Sequence, residues 1–169
     1  RAKRAEAKET VWLFGIHAVR DALLNPGREK LRLVVTKNAF DRLADAIAAC
    51  DPSIVWVNGL AEIWAPPLYA VGARGFTSGL INVWPERSMA IHAALDKGDY
   101  TTANALIAGM KLFEDIRAEE MNGTNVTGVK AALLALGRDC GPTRAPSAWP
   151  LTATQQAALE GFLATNGLT

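Results

Sequence analysis

The chain has 169 residues, the length of one ordinary domain or two small ones. Half of the residues are hydrophobic and 21% are charged, which excludes a disordered or low-complexity chain, and no stretch reaches the roughly 20 apolar residues of a membrane span. The formal net charge is +1, and two cysteines with two histidines exclude a disulfide framework and a zinc site and favour a cytoplasmic location.

The first part of the chain alternates short apolar runs with helical patterns. The apolar runs predict four strands, at 11–14, 31–36, 54–57 and 75–81. The helical patterns that follow them lie at 16–24, 41–50, 66–71 and 85–96. Strand–helix units in series predict parallel strands joined by right-handed crossovers.

Only helices are predicted after residue 100. One spans 101–117, because Ala103, Leu106, Met110 and Phe113 form a single apolar stripe. The others span 125–136, before Gly137, and 152–166, where Thr152 and Gln155 fit a capping box. The predicted fold class is therefore α/β, with four mostly parallel βα units, like part of a TIM barrel, and a three-helix C-terminal region.

The ends of the third and fourth predicted strands carry the residues best placed to bind a ligand. Gly59 follows the third strand, and Thr77 and Ser78 lie in the fourth. Ligands of parallel α/β folds bind at the carboxyl ends of strands. No dinucleotide or P-loop glycine pattern is present, and Ser78 lacks the G-x-S-x-G context of a hydrolase nucleophile.

Two other groups of residues allow a functional and a structural interpretation. His17, beside Arg20 and Arg28, suits a phosphate or RNA contact, but a half-exposed histidine at a helix start is the commoner case. Four carboxylates lie at and just after the end of the predicted helix 101–117, at positions 114, 115, 119 and 120. Paired carboxylates can hold a metal or act as acid and base, but a solvated face is favoured here. His92, among alanines, is expected to be a packing or surface residue.

Residues 10–50 resemble the N-terminal substrate-binding domain of the SpoU/TrmH class of ribosomal RNA 2′-O-methyltransferases. The resemblance is carried by the run from Trp12 to Arg28 and by 33–36 with Asn38. It implies RNA contacts by His17, Arg20 and Arg28, and the ten Lys/Arg against six Asp/Glu of residues 1–50 agree with weak, salt-sensitive RNA binding. No glycine-rich cofactor loop follows, so S-adenosylmethionine and other cofactors are not expected.

Residues 54–169 resemble the C-terminal part of the dihydrodipicolinate synthase/N-acetylneuraminate lyase family. The motifs that carry the resemblance are 57–59, 72–86, 125–133 and 144–146. By this resemblance, the third and fourth predicted strands are the last two strands of a (β/α)₈ barrel. Gly59, Thr77 and Ser78 then belong to an oxo-acid pocket, which Gly59 and Thr77 line with backbone carbonyls.

The same resemblance implies a class I aldolase-type lyase that forms a Schiff base. The family uses a lysine on the sixth barrel strand, helped by a tyrosine on the fifth, and a whole barrel needs about 250 residues. With residues 1–50 assigned to the RNA module, the Schiff-base lysine is expected to be absent and the chain inactive alone. Lys37 follows the second predicted strand, but its neighbours Thr36 and Asn38 indicate solvent, and borohydride with pyruvate is expected to leave the mass unchanged.

Three functions therefore remain open for a composite of residues 1–50 and 51–169. The chain is a lyase fragment without activity, an RNA-binding module of a methyltransferase, or an engineered or chimeric scaffold without a ligand. The expected partners are weakly bound RNA, a small oxo-acid and a second copy of the chain. No membrane, metal or cofactor is expected.

Overall fold

The computed structural model describes residues 11–13, 16–35, 53–146 and 148–169. Helix α1 spans Ile16–Leu24, as its pattern predicts, and ends where the Asn25 side chain accepts a hydrogen bond from the Gly27 amide. The predicted strand at 11–14 is wrong for residues 11–13, which adopt no regular structure. Val11 and Trp12 are exposed there, so these two apolar side chains are not buried against a sheet.

Two strands form a parallel pair. Strand β1 spans Arg32–Val35 and strand β2 spans Val55–Asn58, with Val35 opposite Asn58 at their carboxyl ends. The predicted fourth strand is reduced to one parallel bridge between Asn58 and Phe76. The Ser78 hydroxyl accepts a hydrogen bond from the Leu80 amide and turns the chain away from the sheet, so the ladder stops. The described residues therefore do not show four βα units. The predicted helix 41–50 lies outside the described residues.

Two helices follow these strand ends along the chain. A 3₁₀ turn at Glu62–Trp64 leads into α2, Ala65–Ala70, and a second 3₁₀ turn at Leu80–Asn82 precedes α3, Pro85–Asp96. Each helix has proline in its first turn, where the missing amide hydrogen costs nothing. Both helices confirm the sequence prediction.

The C-terminal region holds four helices where three were predicted. They are α4 (Tyr100–Ala108), α5 (Lys111–Asn122), α6 (Asn125–Ala135) and α7 (Ala153–Thr165). The predicted helix 101–117 is divided between α4 and α5. Helix α4 ends at Gly109, and Met110, which precedes α5, is completely buried in the core.

Two hydrophobic clusters hold the helices together. The first joins the second 3₁₀ turn to α5, α6 and α7, and its buried members are Leu80, Val83, Met110, Phe113, Ile116, Ala132, Leu159, Phe162 and Leu163. The second joins α2, α3 and α4 through Ala65, Tyr69, Ala73, Ile91, Ala94, Leu95 and Ala103. None of the helices in the described ranges is both long and apolar enough to cross a membrane.

Candidate functional site

The loops after β2 and after Phe76 meet at the carboxyl-end edge of the strands. The Thr77 amide donates to the Asn58 carbonyl at 2.8 Å, and the Ala61 amide donates to the Thr77 carbonyl at 3.2 Å. Gly59 lies between these contacts and is exposed. The structure therefore brings Gly59 and Thr77 into one strand-end site, although Ala61 already uses one lone pair of the Thr77 carbonyl.

The buried side chain of Asn58 shapes the loop that contains Gly59. Its Nδ2 donates to the Ala61 carbonyl at 2.9 Å, and its Oδ1 accepts from the Leu60 amide at 2.7 Å. A single amide side chain thus satisfies two backbone groups of a loop that has no ladder partner. Ser78, the third predicted residue, is half-buried and uses its oxygen to hold the Leu80 amide.

A buried carboxylate lies directly behind this loop. Glu62 opens the first 3₁₀ turn and is fully buried, and the Ser88 hydroxyl on α3 donates to its Oε1 at 2.5 Å. No partner for its Oε2 is found within the described part of the chain. Glu62 was not singled out from the sequence, although a lone carboxylate in the apolar run 60–68 was the signal that marks it.

Arg117 of α5 lies behind the second loop. Its guanidinium forms an ion pair with Glu114, donates to Asn125 Oδ1 at 2.7 Å and occupies the space that a Cβ at Gly79 would fill. Both members of the ion pair are buried. Burial raises the pKa of Glu114, the Arg117 charge and hydrogen bond lower it, and the Glu62 charge raises it further.

The predicted solvated acidic face is therefore wrong at Glu114. Asp115 is exposed and pairs with Lys111 at 2.6 Å, and Glu120 is exposed. Glu119 is exposed and accepts a hydrogen bond from Gln155 of α7. Over the described ranges, no group of three or more His, Cys, Asp and Glu side chains could hold a metal ion.

The residues predicted to contact RNA lie away from the strand-end loops in sequence. His17 and Arg20 are exposed on α1, where Arg20 lies 3.3 Å from Asp21, and Arg28 is exposed in the following turn. His92, predicted to be a packing or surface residue, is half-buried, with its Nδ1 2.8 Å from the buried Tyr69 hydroxyl. Lys37 lies outside the described residues.

Comparison with known proteins identifies the family that this chain is similar to. The sequence model of the dihydrodipicolinate synthetase family matches residues 31–165. The chain is 38% identical over 138 residues to 4-hydroxy-tetrahydrodipicolinate synthase 1 of Streptomyces coelicolor, covering 80% of this chain and 43% of that protein. It is 29% identical over 143 residues to a probable 5-dehydro-4-deoxyglucarate dehydratase of Acinetobacter baumannii, covering 83% and 43%.

The fold agrees as well. The crystal structure of dihydrodipicolinate synthase from Oceanobacillus iheyensis superposes with a TM-score of 0.76 at 30% identity, covering 92% of this chain and 51% of that one. The chain thus spans about half the length of the proteins it matches or less. None of these comparisons supports the methyltransferase resemblance or a composite chain, and the family match includes residues 31–50, which that resemblance had claimed. The chain belongs to the dihydrodipicolinate synthetase family.

Proposed function

We propose that the chain carries the strand-end half of a Schiff-base lyase site for a small oxo-acid of the pyruvate type, and that Lys37 supplies the amine. The observation that carries this proposal is the pairing of β1 with β2 in parallel, with Val35 opposite Asn58. The strand neighbours follow chain order, from β1 to β2 to the bridge at Phe76. This order is expected of three consecutive strands of a βα barrel.

The strand order changes which strand Lys37 follows. If β2 and the Phe76 segment correspond to the last two barrel strands, β1 corresponds to the sixth, which bears the Schiff-base lysine in the resembling family. Lys37 is two residues beyond Val35 in the sequence, and two residues span at most about 7 Å. The family match starts at residue 31 and therefore includes both β1 and Lys37.

The neighbouring loops supply the polar groups that an imine site needs. The Gly59 loop and the Thr77–Ser78 loop end at the same edge as Val35, since Val35 pairs with Asn58 and Asn58 with Phe76. The hydroxyl groups of Thr77 and Ser78 there can donate hydrogen bonds to the carboxylate and carbonyl oxygens of an oxo-acid. The lysine itself must be neutral to attack, against an ordinary lysine pKa of about 10.4, so the site has to be shielded from water.

Reduction with borohydride tests the proposal. The chain is incubated with pyruvate and then reduced, and its intact mass and peptide map are measured. We expect the mass of one reduced pyruvyl group on Lys37, lost in Lys37→Arg and kept in Lys97→Arg, whose lysine is exposed at the end of α3. A folded chain that gains no mass, or one modified at another lysine, contradicts the proposal.

A further inference from the structure

A side chain at Gly79 would clash with a neighbouring residue, and backbone strain is not the reason. Its φ is −74°, a value that any residue adopts, so glycine is not needed for the backbone conformation. An added Cβ would instead overlap the guanidinium carbon and two nitrogens of Arg117. The loop that follows Phe76 therefore rests directly on a charged group of the C-terminal helices.

The Arg117 guanidinium is itself fixed from several directions. Glu114 pairs with it from the preceding turn of α5, and Asn125 of α6 accepts from Nη2 at 2.7 Å and, through its backbone carbonyl, from Nε at 3.4 Å. Gly128 of α6 leaves room for its alkyl stem, since a Cβ there would lie 3.2 Å from Cγ. A planar guanidinium with this many contacts is held in one orientation. The flexible ammonium of a lysine would not be held in this way.

Two residues connect Gly79 to the strand-end site, so the position of Gly79 affects the position of that site. Ser78 and Thr77 precede it, and the Thr77 carbonyl is the acceptor for the Ala61 amide of the neighbouring loop. Leu80, which follows, is completely buried in the first core cluster and cannot move to absorb a shift. A displacement at Gly79 must therefore appear at Thr77 and Ser78.

We infer that Arg117 is a positioning residue, which acts through Gly79 to hold Thr77 and Ser78 where they bind the oxo-acid. This inference rests on the proposed function and extends the site to α5 and α6, which contribute no group to the imine chemistry. It separates binding from chemistry: the loop sets the affinity for the oxo-acid, and the amine sets the rate of attack. A misplacement of about 1 Å in such a loop can change a rate or an affinity by one to two orders of magnitude.

The test measures trapping by borohydride over a series of pyruvate concentrations. The half-saturating concentration reports binding by the loop, and the maximal trapping rate reports the amine. We expect Gly79→Ala to raise the half-saturating concentration about tenfold while the maximal rate changes little. Gly161→Ala is the matched control, because a Cβ at that α7 position meets nothing within 4 Å.

Rescue by a conservative change distinguishes positioning from general damage. Arg117→Lys keeps the positive charge beside Glu114 but removes the planar group that fills the Gly79 space. The double variant Gly79→Ala/Arg117→Lys is expected to bind pyruvate better than Gly79→Ala alone, and Arg117→Lys alone worse than the parent chain. If Gly79→Ala does not fold, two comparisons still test the inference. The first compares the half-saturating concentration of Arg117→Lys with that of the parent chain, and the second asks whether the double variant folds.

The outcomes separate the two proposals. A parent chain that gains no adduct overturns the proposed function and this inference with it. A parent chain that is trapped, with the same half-saturating concentration in Gly79→Ala, Arg117→Lys and Gly161→Ala, overturns the inference alone. Failure of Arg117→Lys to improve Gly79→Ala also overturns it.

Discussion

Two carboxyl groups, those of Glu62 and Glu114, and one guanidinium, that of Arg117, are buried, and the Glu62 charge acts on Glu114. One arginine cannot neutralise two carboxylates, and an unpaired buried charge is costly. Burial is the largest cause of the raised pKa of Glu114, ahead of the opposing Arg117 charge. The folded chain therefore binds a proton at Glu114 at pH values where the unfolded chain has already released it.

The sign of the resulting pH dependence follows from linkage. Because the pKa of Glu114 is higher in the folded chain, the free energy of unfolding should fall as pH rises above the ordinary glutamate value of 4.5. Glu114→Gln should flatten this decrease, measured by urea unfolding between weakly acidic and neutral pH. Glu160→Gln, the same change at an exposed position of α7, should leave the slope as it is. Equal slopes in the parent chain and Glu114→Gln would refute the assignment.

At the scale of elements, the first turn of α7 carries a capping box. The Thr152 side chain accepts from the Gln155 amide at 3.2 Å, and the Gln155 side chain accepts from the Thr152 amide at 2.7 Å. Thr152→Ala should lower the free energy of unfolding by about 1 kcal/mol, measured by urea denaturation. The control Thr154→Ala, at an exposed position in the same turn, should change it by less than about 0.5 kcal/mol. Equal losses in the two variants would show that the cap contributes nothing.

Elements with local boundary signals were predictable from the sequence, and elements defined by packing were not. Pro85 begins α3 and Thr152 caps the start of α7, and both helices were predicted within a residue or two of their ends. The break before Met110 has a local signal in Gly109, but the apolar stripe that runs on to Phe113 outweighed it in the sequence analysis. The loss of the fourth strand depends on the turn that Ser78 makes with Leu80.

The same distinction applies to the site. Gly59, Thr77 and Ser78 could be proposed from the sequence because they lie at the predicted ends of apolar strands and belong to a recognisable motif. Arg117 was not, because it lies 38 residues after Gly79 and meets it only when α5 packs against the second 3₁₀ turn. Lys37 was set aside in the sequence analysis because Thr36 and Asn38 indicated solvent and because residues 10–50 were assigned to a different family.

At the scale of the whole molecule, the described strands cannot close a barrel by themselves. Parallel sheets are covered on both faces in known folds, whereas Val55 on β2 is 46% exposed and Trp64, in the turn after it, is 41% exposed. We predict that the chain self-associates to at least a dimer, as the sequence led us to expect, measured by light scattering over a concentration series.

A charged side chain on the strand tests where association occurs. Val55→Lys should shift the chain toward monomer, because a lysine on an exposed strand face opposes sheet packing. Val71→Lys, which introduces the same charge at an exposed position after α2, should leave the association unchanged. A parent chain that scatters as a monomer throughout, or equal association of the two variants, would refute this prediction.

The contact between Arg117 and Gly79 also bears on how the molecule opens. The amides of Ala61 and Thr77 are bonded between the two strand-end loops, and one of these loops rests on α5. We therefore expect the strand ends and the C-terminal helices to open as one cooperative unit in amide hydrogen exchange. Exchange at the Thr77 amide should then require the opening of helices far away in sequence, so its protection should equal that of the α5 amides.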